Sequence, residues 1–219
     1  MAEDAETMDE PQLLSRHEDG AELAMALWRL RSPLLALSSA PYGGGWGERQ
    51  WILAAQVTGG YDRADPAGHL ASLARGLELD GPGIGMLTAV DVRVVSTCRE
   101  DGVAVAATVG LSHPSWAAAE TGTTAPATGT VNIIAVLSHR LSRAALVNAV
   151  MTVTEAKSQA LWEAGFAATG TPSDAVAVLC PPSGPAEAYG GPRSRWGSRL
   201  ARAAHRAVLD GSRRWAEAR

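Results

Sequence analysis

Gly129-Thr130-Val131-Asn132-Ile133-Ile134-Ala135-Val136-Leu137 decides the fold, and the segment that follows it to Asp174 completes the unit. The run is apolar, rich in β-branched residues and bounded by turn formers, which predicts a central β-strand over 131–137. Asn132 is its one polar interruption. Ser142 then stands as the N-cap of a helix that runs to about Trp162 or Glu163, with Gly165 as the stop. At about 100° per residue, Asn148, Thr152, Glu155 and Gln159 fall on one line of that helix. Leu146, Val150, Val153 and Leu161, with Ala149, Ala156 and Ala160, cover much of the rest. The helix therefore reads as largely enclosed, and its polar stripe as the lining of a cleft, a face turned to solvent or a satisfied internal network, since buried polar groups need partners. Thr169 to Asp174 forms a loop, and Ala175 to Cys180 reads as the next strand, with Asp174 at its entrance.

Outward from this unit, Pro33 precedes a short strand over 34–39, Tyr42 to Gly47 is a glycine-rich turn, and Trp51 to Val57 is a further strand. Asp65-Pro66 is an N-cap and first-turn pair for a helix over 67–79, with Leu70, Leu73, Ala74 and Leu77 on its packing face, and Gly81, Gly83 and Gly85 interrupt the chain before Met86 to Ala89. Val92 to Cys98 and Val103 to Val109 flank Arg99-Glu100-Asp101-Gly102, a hairpin connection that argues against a purely parallel sheet. The expected fold class is α+β, a mixed or largely antiparallel β-sheet system packed with long helices. Residues 110–114 close the 92–109 hairpin, the Ala/Thr/Gly/Pro-rich piece from there through Pro126 reads as an irregular connection that could act as a mobile cover, and a last helix starts near Ser194. The glycine cluster lacks a following G-K-[ST] and so carries little weight for phosphate binding.

A chain of 219 residues suits one core. Residues 1–10 read as a disordered acidic tail and 11–219 as a single domain, with Pro11 at the boundary. A net charge of -4 argues against a general nucleic-acid binder. Acidic residues crowd the start and arginines the end, which fits a solvated face or an intramolecular attraction. Cys98 and Cys180 form no CxxC pair, and His17, His69, His113, His139 and His205 form no close ligand motif, so the reading is reduced thiols, no metal and no cofactor. No basic-plus-apolar leader and no run of about 20 apolar residues is present, so the expected address is the cytoplasm, with no membrane span. Assembly into a homo-oligomer is left open.

Gly129 to Ile134, Ala145 to Val150, Thr154 to Lys157 and Ala168 to Val176 resemble, in order and separation, the adenosylcobinamide amidohydrolase family. Ser38-Ser39, Gly43 to Gly45, Gly85 to Arg93 and Tyr189 to Pro192 look like further blocks of the same family, so the resemblance spans most of the chain after Leu34. It implies a salvage enzyme that hydrolyses the amide between a corrinoid side chain and aminopropanol, turning adenosylcobinamide into adenosylcobyric acid. The cobalt corrinoid is then substrate rather than cofactor. Ser112-His113-Pro114, Pro172-Ser173 and Tyr189-Gly190-Gly191-Pro192 depart from the family's usual wording, which leaves room for a different natural-product amide.

Amide hydrolysis needs a nucleophile, a proton-transfer group and donors for the developing oxyanion. Glu155 is the expected general base for water, with Lys157 and Asn148 as orienting or polarising partners. Asn132, Thr130, Thr152, Thr171, Asp174 and His113 are the expected substrate-binding residues. Lys157 lies two positions from Glu155 and so faces differently on a regular helix. Thr130 and Ser112 beside His113 are the alternative nucleophiles. The sharpest expectation is geometric: Asn132, Asn148, Thr152, Glu155 and Asp174 should face one cavity. A corrinoid-binding protein without catalysis is the rival class.

Overall fold

The computed structural model describes residues 8–120 and 129–218. The strands are β1 (Gln12–Glu18), β2 (Ala21–Ser38), β3 (Gly45–Gln56), β4 (Gly83–Thr88), β5 (Ser96–Glu100), β6 (Val103–Gly110), β7 (Thr130–Leu137) and β8 (Ala175–Cys180). The helices are α1 (Pro66–Gly76), α2 (Arg143–Glu163) and α3 (Arg195–Glu217), and a short 3-10 turn spans Val92–Val94. The strands form one mixed sheet in the order β4-β3-β2-β8-β7-β6-β5, with β1 added to β2. The β3–β4 and β7–β8 pairs are parallel and the other pairs antiparallel. This is the mixed α+β architecture expected.

The sheet is strongly bent. Ala24, Ala26, Trp28, Ile52 and Met86 from its first half share one buried cluster with Ala104, Ile134, Val136 and Leu179 from its second. The two halves thus close over a common interior, and β4 returns to β7, where Asn132 Nδ2 donates to the Leu87 carbonyl at 2.8 Å. The bend coincides with a register shift in β2 between Arg29 and Leu34. Pro33 sits inside that irregularity, where a missing N–H is tolerated, and does not start a strand. Outside the second half, α2 and α3 cover Val105, Ile133, Val176 and their neighbours; outside the first, α1 places Leu70 and Ala74 on Met25, Leu27 and Leu53.

Each helix begins where the sequence provides a cap. Asp65, Ser142 and Ser194 accept from the backbone N–H of Gly68, Ala145 and Gly197. Several features differ from expectation. The strand at 34–39 is the end of an 18-residue strand; β5 starts at Ser96 because Asp91 caps the 3-10 turn; β4 runs through Gly83 and Gly85; and α2 is less enclosed than expected, with Val147, Met151 and Trp162 exposed. The acidic-tail reading also needs a correction at its inner end. Met8 is buried and its carbonyl accepts from Arg99 Nη2 at 2.6 Å, while Asp9 pairs with Arg31. Residues 1–7 and 121–128, which include the 121–126 part of the expected cover, lie outside the described residues.

Candidate active site

A cavity of about 400 Å³ opens where the start of β7, the loop before β8 and the end of β4 meet. Its lining comes from five places in the chain: Ser39 and Pro41; Val57, Tyr61 and Pro66; Leu87, Thr88 and Ala89; Thr130 and Asn132; and Pro172 through Ala175. The floor is polar because a hydrogen-bonded network locks the 169–174 loop onto β7. Val131 N and Thr171 N donate to Asp174 Oδ1 and Oδ2, at 2.9 and 3.2 Å, and Lys157 Nζ pairs with Oδ2 from α2. Thr171 Oγ1 lies between Gly129 O, at 2.6 Å, and Asp174 Oδ1, and its single hydrogen serves one of them at a time. A carboxylate offers about four acceptor positions, so this Asp174 is fully engaged as an anchor.

Gly170 is part of the same lock. A Cβ there would stand 2.4 Å from Asp174 Oδ2 and 2.6 Å from Lys157 Nζ, so only a glycine lets the ion pair close beneath the loop. Ser158 adds a second tie from α2, donating to Thr169 O at 2.9 Å. On the cavity side, Thr130 Oγ1 lies 2.7 Å from Ser173 Oγ, and Ser173 Oγ donates to Gly129 O at 2.9 Å. That leaves Thr130 as donor to Ser173 and the two hydroxyl oxygens as a paired polar edge. Asn132 spends one amide hydrogen on Leu87 O and keeps a second donor and an acceptor for the cavity. Ser39 Oγ is held by the backbone N–H of Val176 at 3.0 Å.

Tyr61 and two groups behind it had no signal in the sequence. The Tyr61 hydroxyl lies 3.1 Å from His69 Nδ1, with the two rings stacked at 5.6 Å between centroids. His69 is buried on α1, and its Nε2 stands 2.8 Å from Glu18 Oε1. Nε2 has no aligned hydrogen bond, so the contact with the Glu18 carboxylate is one of close approach. Burial pushes the Glu18 carboxyl up, but the Arg16 hydrogen bond and the charges of Arg16, His69 and Arg63 together hold it below its ordinary value. Burial pushes the Tyr61 phenol up, with the Arg63 charge opposing.

The common cavity expected from the helix stripe does not form. Asn132, Thr130 and Asp174 line the cavity described here, whereas Thr152 and Glu155 line a separate groove of about 380 Å³ with Gln159, Arg202, His205 and Arg206. The cause is the rotation of α2: its 157 and 158 positions face the 169–174 loop, and the 152–155–159 line turns toward α3. Thr152 there donates to Gly190 O at 3.0 Å, and Asn148 stands beside Gly191, so half the stripe seats the 190–191 turn. Arg202 pairs with Glu100, and His205 and Gln159 both reach Glu163. Lys157 and Thr171 lie behind the cavity wall, and His113 is exposed on the loop whose Ser115 bonds Gly170. Among the described residues no group of three or more His, Cys, Asp or Glu side chains could hold a metal ion, and no helix is long and apolar enough to cross a membrane.

The chain is similar to known proteins along most of its length. Residues 10–219 match the family model described as adenosylcobinamide amidohydrolase. The chain is 31% identical over 177 residues to the adenosylcobinamide amidohydrolase of Methanosarcina mazei, covering 77% of this chain and 85% of that one. It is 40% identical over 135 residues to the protein of the same name from Halobacterium salinarum, covering 57% and 58%.

Proposed function

Because the chain belongs to the adenosylcobinamide amidohydrolase family, we propose that it hydrolyses the aminopropanol amide of adenosylcobinamide, releasing adenosylcobyric acid, at the cavity between β4, β7 and the 172–175 loop. One observation carries the placement. Four family-like words far apart in the chain, at 38–39, 85–93, 129–134 and 168–176, each contribute lining residues to this one cavity.

The size of the site supports a division of the ligand. A cavity of about 400 Å³ is at the small end of the range for ligand pockets and far too small for a corrin ring with its upper ligand. The corrin would lie across the mouth, and the amide-bearing arm would enter. Inside, the oxygens of the Thr130–Ser173 edge offer acceptors, and the free face of Asn132 a donor and an acceptor, to an amide and to the alcohol of aminopropanol. Asp174, with Lys157 and Thr171 behind it, fixes the loop that carries this edge, so that these groups are aimed before the substrate arrives. Apolar Val57, Pro41 and Pro172 exclude water from the arm and strengthen those contacts.

Incubation of the purified protein with adenosylcobinamide, followed by mass spectrometry, should show loss of the aminopropanol group. Asn132→Ala and Thr130→Val should each lower turnover by about 10-fold or more, while Glu155→Gln, in the separate groove, should stay within about threefold of wild type. Tight binding of adenosylcobinamide with no product would replace this reading with a corrinoid-binding one, and a Glu155→Gln variant that binds but does not turn over would move the site to the α2–α3 groove.

A further inference from the structure

Resting on that reading, we propose that Tyr61 is a catalytic residue of the amide hydrolysis and that His69 and Glu18 act behind it as a proton relay. Three observations meet here. Tyr61 lines the cavity, from a different segment than the hydroxyl edge. Its hydroxyl is within hydrogen-bond distance of His69 Nδ1. The imidazole, with a side chain only 3% exposed, has its other nitrogen against the Glu18 carboxylate and no hydrogen bond to satisfy that nitrogen otherwise. A buried histidine between a hydroxyl and a carboxylate is the arrangement that activates a hydroxyl for proton transfer, whichever residue supplies the oxygen. Asp174 does not compete for the role, because its acceptor positions are occupied by the loop it anchors.

The atoms balance as follows. A water oxygen forms a bond to the amide carbonyl carbon and gives a proton to Tyr61 Oη, while the original phenolic hydrogen passes to His69 Nδ1. The charge that arrives on the ring faces Glu18, which is itself held anionic by Arg16 and Arg63. The C–N bond then breaks, Tyr61 gives its proton to the leaving nitrogen, and His69 returns the hydrogen to Tyr61. The products are a carboxylic acid and a free amine, and the relay ends in its starting state. Burial raises the phenol above its ordinary value, so the hydroxyl is protonated before the transfer. Arg63, Asp19 and Asp65 are the remaining charged groups facing Tyr61, and Arg16 joins them around Glu18.

Tyr61→Phe keeps the ring that stacks on His69 and removes only the oxygen. It should retain corrinoid binding and the wild-type melting temperature, with KM within about threefold, and lose kcat by about 100-fold or more. His69→Gln should lower kcat and remove the acid limb of the pH profile of kcat, because a neutral ring is what accepts the proton; a merely structural histidine would lower activity without changing the shape of that profile. A wild-type protein that hydrolyses the amide together with a Tyr61→Phe variant within about threefold of its kcat overturns the relay and leaves the reaction standing. Equal losses in binding and turnover for Tyr61→Phe overturn it too, since they assign the hydroxyl to substrate binding. A wild-type protein without amidase activity removes the reaction and the relay together.

Discussion

Lys157 shows how one residue serves the site without entering it. Its ammonium and the Asp174 carboxylate have side chains only 8% and 11% exposed, so each charge relies on the other, and the carboxylate also on the backbone N–H groups of Val131 and Thr171. Breaking a buried pair from one side leaves an uncompensated charge, at a cost of about 3–5 kcal/mol. Lys157→Met should therefore lower stability by about that much in urea denaturation. It should also weaken turnover beyond the stability loss, because the freed Asp174 no longer pins the loop carrying Ser173. A change under about 1 kcal/mol would mean that the three other hydrogen bonds to Asp174 suffice without the lysine. Only part of this was legible. Asp174 before an apolar run and a Gly/Thr loop read as a site, and both Asn132 and Thr130 do line the cavity. Lys157 was read as a polarising group near Glu155, yet it turns to the opposite neighbour, since two residues on a helix differ by about 200° in direction.

At the scale of elements, α2 ties down two loops from two faces: Lys157 and Ser158 hold 169–174, and Thr152 holds the 190–191 turn. Thr152→Val keeps the shape and deletes the donor to Gly190 O, leaving a buried carbonyl short of its partner. Its expected cost is about 1–3 kcal/mol, measured by thermal or urea unfolding, with adenosylcobinamide turnover unchanged once folding is corrected for. A loss of turnover without a loss of stability would place the α2–α3 groove in the mechanism. The elements that the sequence revealed, β7, α2, β8 and α3, are those whose local pattern agrees with their tertiary environment. The half of β2 over 21–30 was missed because Ala21-Glu22-Leu23-Ala24-Met25-Ala26-Leu27 is made of helix formers, and the sheet overrides that propensity by burying 23–28. Likewise β4 read as interrupted because of its glycines, although a Cβ at Gly83 would strike the Trp51 ring at 2.0 Å. Tyr61, His69 and Glu18 come from a loop, a helix and a strand edge, and no spacing along the chain announces their meeting.

For the whole molecule, the two ends of the pH and chain ranges test how the bent sheet is closed. Deleting residues 1–7 should leave the melting temperature unchanged, whereas deleting 1–10 removes the buried Met8 side chain and the Arg99 and Arg31 contacts. Burial of a Met side chain contributes about 1.5–3 kcal/mol, so the longer deletion should lower the melting temperature by several degrees and the shorter one should not. Acid tests the other closure, where Glu18 at the end of β1 joins Arg16, Arg63 and the α1 histidine. The Glu18 carboxyl is held below its ordinary value in the folded chain, so the unfolded chain binds a proton there more readily. The stability it contributes is then fully present above about pH 4.5, the ordinary value, and is lost as the pH falls below that through the folded value. Urea midpoints for wild type and Glu18→Gln should run parallel between about pH 5.5 and 7 and converge as the pH falls below 4.5, because the glutamine cannot lose what it does not have. The gap between them at neutral pH measures what the carboxylate adds to closing β1 and α1 around the base of the cavity. A constant gap down to about pH 3 would show that Glu18 titrates alike in the folded and unfolded chain, and that apolar packing of α1 on Leu27 and Leu53 carries that closure instead.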